Sequence, residues 1–299
     1  MERAHHLGVD IGGTKVALRV EAGTRCVDET VFAWRPRHSV DRDLAQLAEH
    51  IGELRAKLAA PPSAVGVAVP ATVGPDERIT AWPCRPEWAG TDLGAALRAL
   101  FPGTAVAWAD DGDLGALAEA QAADCPDLLY LGVGTGIGGG LVLRGELCPG
   151  PGRGSFEIGH TVVELDGPDC VCGRRGCLQA IASGPATLRH AARLRGSEVT
   201  FDVLRQAWRD GQPWAVTALR RTCRALAAAA VSVQELLHPR LLLLGGGFAS
   251  GIPGFDTLVS AQLAQLSRPG LPQLDVRPAA LGALSSLRGA LALARTIRP

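Results

Sequence analysis

The chain is expected to be an α/β protein of two lobes with a cleft between them. Three observations carry this. Two apolar hairpins with Gly-Thr turns, over residues 7–20 and 128–143, open two halves of the sequence as if by internal duplication. Strand-like and helical spacings are mixed after each hairpin. At 299 residues the chain is long enough for two lobes, each with its own core.

In the first half, Leu-Gly-Val-Asp-Ile and Lys-Val-Ala-Leu-Arg-Val flank a Gly-Gly-Thr turn, and alternation along the second arm gives a hairpin. Residues 31–34 offer a third strand. Leu44, Leu47, Ile51 and Leu54 have helical spacing within 39–58. A short buried strand follows over 64–69, closed by Pro70, then a helix over 93–100, a strand over 105–108 and an Ala-rich helix over 114–123. The second half repeats strand, Gly-Thr-Gly turn and strand over 128–132, 134–136 and 138–143. Helices are expected over 185–194, 200–210 and 214–237, a buried strand over 241–244 running into Gly245-Gly246-Gly247, and a last helix over 281–294.

Lys plus Arg equals Asp plus Glu at 30 each, so no basic face is implied and nucleic acid is not expected as a partner. No stretch reaches membrane-spanning length without charge, and the N-terminus carries no apolar leader, so no membrane partner is expected. Aromatics make up only 4%, which leaves Leu, Val and Ala to fill the core. Of eight cysteines, Cys26, Cys84, Cys125, Cys148 and Cys223 are scattered and odd in number, which fits reduced thiols in a cytoplasm.

The other three fall within eight residues, Cys170, Cys172 and Cys177, with His160 ten residues before the first. Three thiols and an imidazole are the ligand types of a tetrahedral zinc site, and a complete set leaves no position for water, so the ion is expected to be structural. Gly173 and Gly176 allow the tight turns that aim the sulfurs at one point. A disulfide, or three unrelated cysteines, is the alternative.

Asp10-Ile11-Gly12-Gly13-Thr14-Lys15 spans the first hairpin turn. Glycines there expose N–H groups to phosphate oxygens, Thr14 adds a hydroxyl, and Asp10 would orient a metal ion. No helix follows, so this is neither a Walker loop nor a dinucleotide fingerprint. Hairpin turns without function are common, but Gly134-Thr135-Gly136 repeats the pattern, and two such turns facing across a cleft would grip one polyphosphate. Asp110-Asp111-Gly112-Asp113 lies between a strand and a helix. One carboxylate suffices to cap the helix; another beside a phosphate site suits a general base for a hydroxyl nucleophile.

Taken together, the Asp10–Lys15 loop, the 110–119 segment, the second Gly-Thr hairpin, Glu157-Ile158-Gly159-His160, the Cys-x-Cys-Gly-x-x-Gly-Cys run and the glycines at 245–247 make the chain resemble the ROK family of bacterial sugar kinases and repressors. The resemblance covers nearly the whole chain. It implies an actin-like, hexokinase-type (ribonuclease H-like) fold, divided into a small N-terminal lobe over 1–112 and a large C-terminal lobe over 113–299 that carries the zinc loop, with the last helix packing back on the first lobe. It implies ATP, Mg²⁺ and structural Zn²⁺ as cofactors and a sugar as substrate. Asp111 matches the catalytic base, and Glu157 and His160 match residues that bind sugar hydroxyls, His160 also being a zinc ligand. Gly246 and Gly247 match the adenosine-side loop, joining Asp10, Gly12, Gly13, Thr14, Lys15, Gly134, Thr135 and Gly136 in the nucleotide site. No DNA-binding extension precedes the first strand, so the kinase branch is expected. Family members are often homodimers or homotetramers.

Four positions depart from the family pattern. Asp110 stands where Asn is usual, Gln179 where Glu is usual, Cys84 where an Asn is usual, and Asp113 where a later Asn is usual. The first three are expected in the sugar site. Asn both donates and accepts, whereas a carboxylate only accepts and carries charge. Asp110 facing the third ring carbon would favour an ammonium there. The expected reaction is phosphorylation of the 6-hydroxyl of a hexose or aminohexose, with 3-amino-3-deoxyglucose (kanosamine) foremost, glucose second, and a seven-carbon cyclitol or noncatalytic sugar binding beyond. The alternative for Asp110 is a bond to a hydroxyl or to the helix that follows it.

Overall fold

The computed structural model describes residues 4–36, 39–150 and 153–297. Its elements run β1 (His5–Ile11), β2 (Lys15–Ala22), β3 (Arg25–Ala33), α1 (Val40–Ala56), β4 (Ala64–Ala68), β5 (Thr72–Val73), β6 (Ile79–Ala81), α2 (Leu93–Leu100), β7 (Ala105–Ala109) and α3 (Asp111–Ala122). They continue with β8 (Leu128–Val133), β9 (Ile137–Leu143), β10 (Glu146–Cys148), α4 (Leu178–Ala182), α5 (Gly184–Arg195), α6 (Phe201–Arg209), α7 (Pro213–Leu237), β11 (Leu241–Gly245), α8 (Gly247–Gly251), α9 (Phe255–Leu266), β12 (Asp275–Pro278) and α10 (Ser285–Thr296). The chain forms two compact units. One contains Met1–Ala118, Leu147–Ser155 and Leu284–Pro299; the other contains Glu119–Glu146 and Phe156–Ala283.

The sheets of the two units have the same order. The first reads β3-β2-β1-β4-β7 and the second β10-β9-β8-β11-β12. In each, the hairpin is antiparallel and the next two strands are parallel: β1 pairs β2 antiparallel and β4 parallel, β8 pairs β9 antiparallel and β11 parallel. The duplication expected from the two hairpins is therefore a duplication of topology.

In the first unit the period of two along the strands sorts residues to two faces. Leu7, Val9, Ile11, Val65 and Val67 meet Leu47, Ile51 and Leu54 of α1 and Leu93 and Leu97 of α2 in one core. Ser39 caps α1 by accepting from the Arg42 N–H, and Asp41 and Asp43 suit its first turn. On the other face α10 packs on β1 and β4, and Ala68, Leu114, Leu117, Ala290 and Leu293 form a second core. Helix α10 approaches so closely because Gly8 and Gly66 have no side chains: a Cβ on Gly66 would collide with the Ala290 carbonyl oxygen.

In the second unit α7 opens with Pro213 in its first turn and ends at His238 in the left-handed conformation. Its buried face of Ala215, Ala218, Leu219, Leu226 and Ala230 packs against α9, α5 and α4. Glu119, 0% exposed, accepts hydrogen bonds from the N–H groups of Ala280 and Leu281, both at 2.9 Å.

The structure departs from the sequence expectations in specific places. Helix α3 starts at Asp111 rather than residue 114, because Asp110 Oδ1 accepts from the Gly112 N–H at 3.0 Å and its carbonyl accepts from Leu114. Residues 282–284 form a 3₁₀ turn before α10 instead of its first turn. Strand β3 begins at Arg25, six residues before the expected start. The β5–β6 pair was not expected, since strands of two and three residues have no period to read. Edge strand β12, which ends in Pro278, was missed for a related reason. Helix α9 is also absent from the sequence expectations, although Phe255, Val259 and Leu263 stand four apart; the residue before it, Gly254, has φ +71° and offers no side-chain cap.

Candidate active site

The first unit supplies a glycine turn and an acidic helix start. Gly12, Gly13 and Thr14 join β1 to β2, whose last register pair is Ile11 with Val16. Asp10, the next-to-last residue of β1, lies on the face opposite Val9 and Ile11, the face that holds Gly8. Burial first, and then the neighbouring Asp111 carboxylate, push the Asp10 carboxyl up to about 7 against the opposing pull of Lys15. Asp10 and Asp111, a hundred residues apart in sequence, are thus electrostatic neighbours. Two close carboxylates at the edge of a glycine turn are a donor set that a hard cation such as Mg²⁺ would neutralise.

Asp111 occupies the first residue of α3, where a carboxylate is favoured by the helix dipole. Asp110 and Asp113 line a cavity of about 600 Å³ with Ala71, Thr72, Trp108 and Arg153. Asp113 is 5% exposed. Cys84, exposed, lies against the glycine turn: a Cβ on Gly13 would come within 2.7 Å of the Cys84 Cβ.

In the second unit Gly134, Thr135 and Gly136 turn β8 into β9, and the Gly184 N–H at the start of α5 donates to the Gly134 carbonyl at 2.8 Å. Strands β8 and β11 are in parallel register, with Gly132 opposite Gly245. Gly246, at φ +84°, packs so closely on Val133 that its missing Cβ would strike that residue's backbone. The second Gly-Thr turn and the Gly246-Gly247 loop are therefore adjacent at one end of one sheet.

Glu157-Ile158-Gly159-His160 forms a 3₁₀ turn over Ile158–His160. Ile158 is buried against Gly139, and a Cβ on Gly159 would collide with the Ile137 carbonyl oxygen. Those two glycines seat the turn on β9. Beyond it, Gly173 and Gly176 adopt φ of +86° and +70°, as the cysteine spacing led one to expect. His160, Cys170, Cys172 and Cys177 bring one ligand atom each within 4.8 Å of one another. The Cys172 and Cys177 sulfurs are 3.7 Å apart, and Cys170 Sγ is 3.7 Å from His160 Nδ1. Tetrahedral zinc with bonds of about 2.3 Å to sulfur sets neighbouring sulfurs about 3.8 Å apart, so the four residues fit the ion; a disulfide needs about 2.05 Å. The backbone N–H of Arg174 holds the Cys172 thiol down at about 7, whereas burial pushes Cys177 up to about 12. A buried thiol of that kind becomes a thiolate only beside a cation, which a zinc ion held by these four residues would supply.

Gln179, the first-turn residue of α4, donates from Nε2 to Cys170 Sγ at 3.6 Å, and its Oε1 borders Gly136. It thus joins the metal cluster to the second Gly-Thr turn. Trp34, Asp43 and Arg85, which stand behind the first glycine turn, carry no sequence signal of a place beside it. Only the pairing of an indole and an Arg with turn carbonyls reveals them.

The sequence matches the ROK family over residues 6–297. The chain belongs to the ROK family. It is 63% identical to a kanosamine kinase of Amycolatopsis mediterranei over 98% of its own length and 97% of that protein, and 32% identical to a glucokinase of Thermotoga maritima over 83% and 84%. Among solved structures it is similar to a ROK hexokinase from Thermus thermophilus, with a TM-score of 0.87, 30% identity and 98% of each chain covered. It also resembles a ROK glucokinase from Streptomyces griseus in complex with glucose and AMPPNP, with a TM-score of 0.75, 25% identity, and 98% and 100% covered. The duplicated five-stranded sheets of this ROK protein are those of the actin-like, hexokinase-type α/β fold. Among the described residues no helix is long and apolar enough to cross a membrane.

Proposed function

We propose that this chain, an ATP-dependent sugar kinase, phosphorylates the 6-hydroxyl of kanosamine. The observation that carries the reading is the 63% identity with a kanosamine kinase over nearly all of both chains. The acidic lining of the cavity beside β7 supports it. Asp110 and Asp113 both contribute to that lining, and carboxylates suit an ammonium on the third ring carbon better than a hydroxyl.

The roles follow from chemistry. Asp111 accepts the proton of the 6-hydroxyl as that oxygen bonds to the γ-phosphorus and the bond to the bridging oxygen of ADP breaks. Asp10 would hold Mg²⁺, which when bound supplies charge neutralisation for the phosphates. The N–H groups of Gly12, Gly13 and Thr14, with Lys15 and with Gly134, Thr135 and Gly136, bind phosphate oxygens, and Gly246 and Gly247 serve the adenosine end. Glu157 accepts from sugar hydroxyls. His160 turns Nδ1 to the zinc cluster and offers Nε2 to the sugar, its ring fixed by the metal. Gln179 steadies the cluster, and Cys84 borders the first turn. Zinc, when bound, supplies only a structural cross-link.

The cysteines outside the cluster are free thiols, which supports a cytoplasmic setting. The balanced charge supports small-molecule partners over nucleic acid. Assembly as a homodimer or homotetramer belongs to the same reading and is testable by sedimentation velocity. A second reading, glucose as the substrate, is favoured by one bond: Asp110 Oδ1 caps α3 through Gly112, as a structural aspartate does. Specificity constants for kanosamine and glucose, measured on the wild type and on Asp110→Asn, separate the two. The kanosamine reading expects wild type to prefer kanosamine by roughly tenfold or more and the variant to shift toward glucose. Equal use of both sugars by both proteins would reject it.

A further inference from the structure

Behind the first glycine turn lies a buried polar cluster that neither the core nor the chemistry above requires. Trp34 Nε1 donates to the Gly12 carbonyl at 2.8 Å, and Arg85 Nε donates to the Gly13 carbonyl at 3.2 Å. Arg85 is 1% exposed, and its Nη1 meets Asp43 Oδ2 at 2.6 Å. The same oxygen accepts from Trp88 Nε1 at 2.9 Å. The Arg85 guanidinium stacks over the Trp34 ring, 4.2 Å from its centroid. The Trp34 backbone N–H donates to the Thr14 carbonyl at 3.2 Å. Three consecutive turn carbonyls are thus held by two residues.

Burying an arginine is costly, and a hydrophobic replacement would often serve stability equally well. What an apolar side chain cannot do is fix a peptide plane. In a trans peptide the N–H points opposite the carbonyl of the preceding residue. Anchoring the carbonyls of Gly12 and Gly13 from behind therefore aims the N–H groups of Gly13 and Thr14 away from the cluster. Glycines by themselves would leave those planes free to rotate. We propose that Trp34 and Arg85 are positioning residues that lock the Gly12-Gly13-Thr14 turn in its phosphate-binding form, with Asp43 and Trp88 holding the guanidinium in register. The proposal rests on the assignment of this turn to ATP phosphates.

The test compares Trp34→Phe, Arg85→Lys and Gly13→Ala with wild type, measuring kcat, KM for ATP, KM for the sugar and the thermal midpoint. Trp34→Phe keeps an aromatic ring beside Arg85 but loses the Nε1–H donor together with the five-membered half of the indole. It should raise KM for ATP about three- to tenfold while KM for the sugar stays within twofold. Arg85→Lys keeps the charge beside Asp43 but loses the planar fork, and it should raise KM for ATP at least as much. Gly13→Ala, whose Cβ meets Cys84, disturbs the turn itself and should raise KM for ATP more than either. If Gly13→Ala leaves KM for ATP unchanged, the phosphate assignment of the turn fails. If Gly13→Ala has its effect but Trp34→Phe moves both KM values alike, or lowers the thermal midpoint alone, the positioning role is overturned. Should Arg85→Lys not fold, Trp34→Phe decides.

Discussion

His160 Nδ1 stands 3.7 Å from Cys170 Sγ, so the imidazole turns this nitrogen toward the sulfurs and leaves Nε2 for the sugar contact proposed above. On that proposal one ring links the cysteine loop to substrate binding. A metal that is remote from the chemistry would still set sugar affinity through the orientation of this ring.

Zinc removal gives the first prediction. Protein as purified should carry one zinc per chain by elemental analysis. Stripping it, or Cys177→Ser, should weaken sugar binding roughly ten- to a hundredfold while ATP affinity changes little. Sugar and nucleotide titrations on metal-free protein check this. Unchanged sugar affinity after verified metal loss would break the link.

Asp10 gives a pH dependence with a definite sign. Its carboxyl is raised from 3.8 to about 7 in the folded chain. Between about pH 4 and pH 7 the folded protein holds a proton that the unfolded chain has lost, so this group's contribution to stability is largest in acid and is lost as pH rises through 7. Asp10→Asn should unfold at a higher temperature than wild type at pH 8, without nucleotide or Mg²⁺, and the gap should close toward pH 4. It should also impair turnover, which ties the strained carboxylate to function. Parallel melting curves across that range check the sign; a gap that widens in acid would contradict it.

Asp111 at the start of α3 is the base proposed above. Asp111→Asn keeps the shape and the capping geometry but cannot take a proton, so kcat should fall by about 10² to 10⁴. ATP affinity should hold or improve slightly, because one of two repelling carboxylates is gone. Single-turnover rates with equilibrium ATP titration separate the two effects. A variant that turns over normally would move the base elsewhere.

What the sequence disclosed and what it hid follow from range. The hairpins at 7–20 and 128–143, the helix spacing of Leu47, Ile51 and Leu54, and the glycines at 173 and 176 are local signals, and the structure matches them. The metal quartet was legible because thiols and an imidazole seldom cluster without a reason. Asp111 was legible as a candidate but not as a helical residue, since its place depends on Asp110 capping Gly112. Arg85 was invisible: its partners Gly13 and Asp43 lie 72 and 42 positions away, and nothing around residue 85 signals that the chain returns to the first turn. The same holds for Gly66, which in sequence is only a weak point in a strand and in the fold is the contact surface for α10.

That contact yields a paired prediction. A Cβ at position 66 would meet only backbone of α10, the carbonyl of Ala290 and, at 2.9 Å, the nitrogen of Ala294, so no flexible side chain can yield. Gly8 presses on the same helix, its Cβ position 2.7 Å from Leu291 Cγ, so α10 cannot slide away along the sheet. Gly66→Ala should therefore destabilise by about 1–3 kcal/mol through overpacking. Gly52, inside α1, has nothing within 4 Å of the corresponding position. Gly52→Ala should instead stabilise by about 0.5–1 kcal/mol, since it only removes unfolded-state freedom in a helix. Denaturant unfolding of both variants reads the difference. Opposite signs from the same chemical change would show that α10 is held on this sheet by the absence of a methyl group, whereas equal effects would mean the helix adjusts.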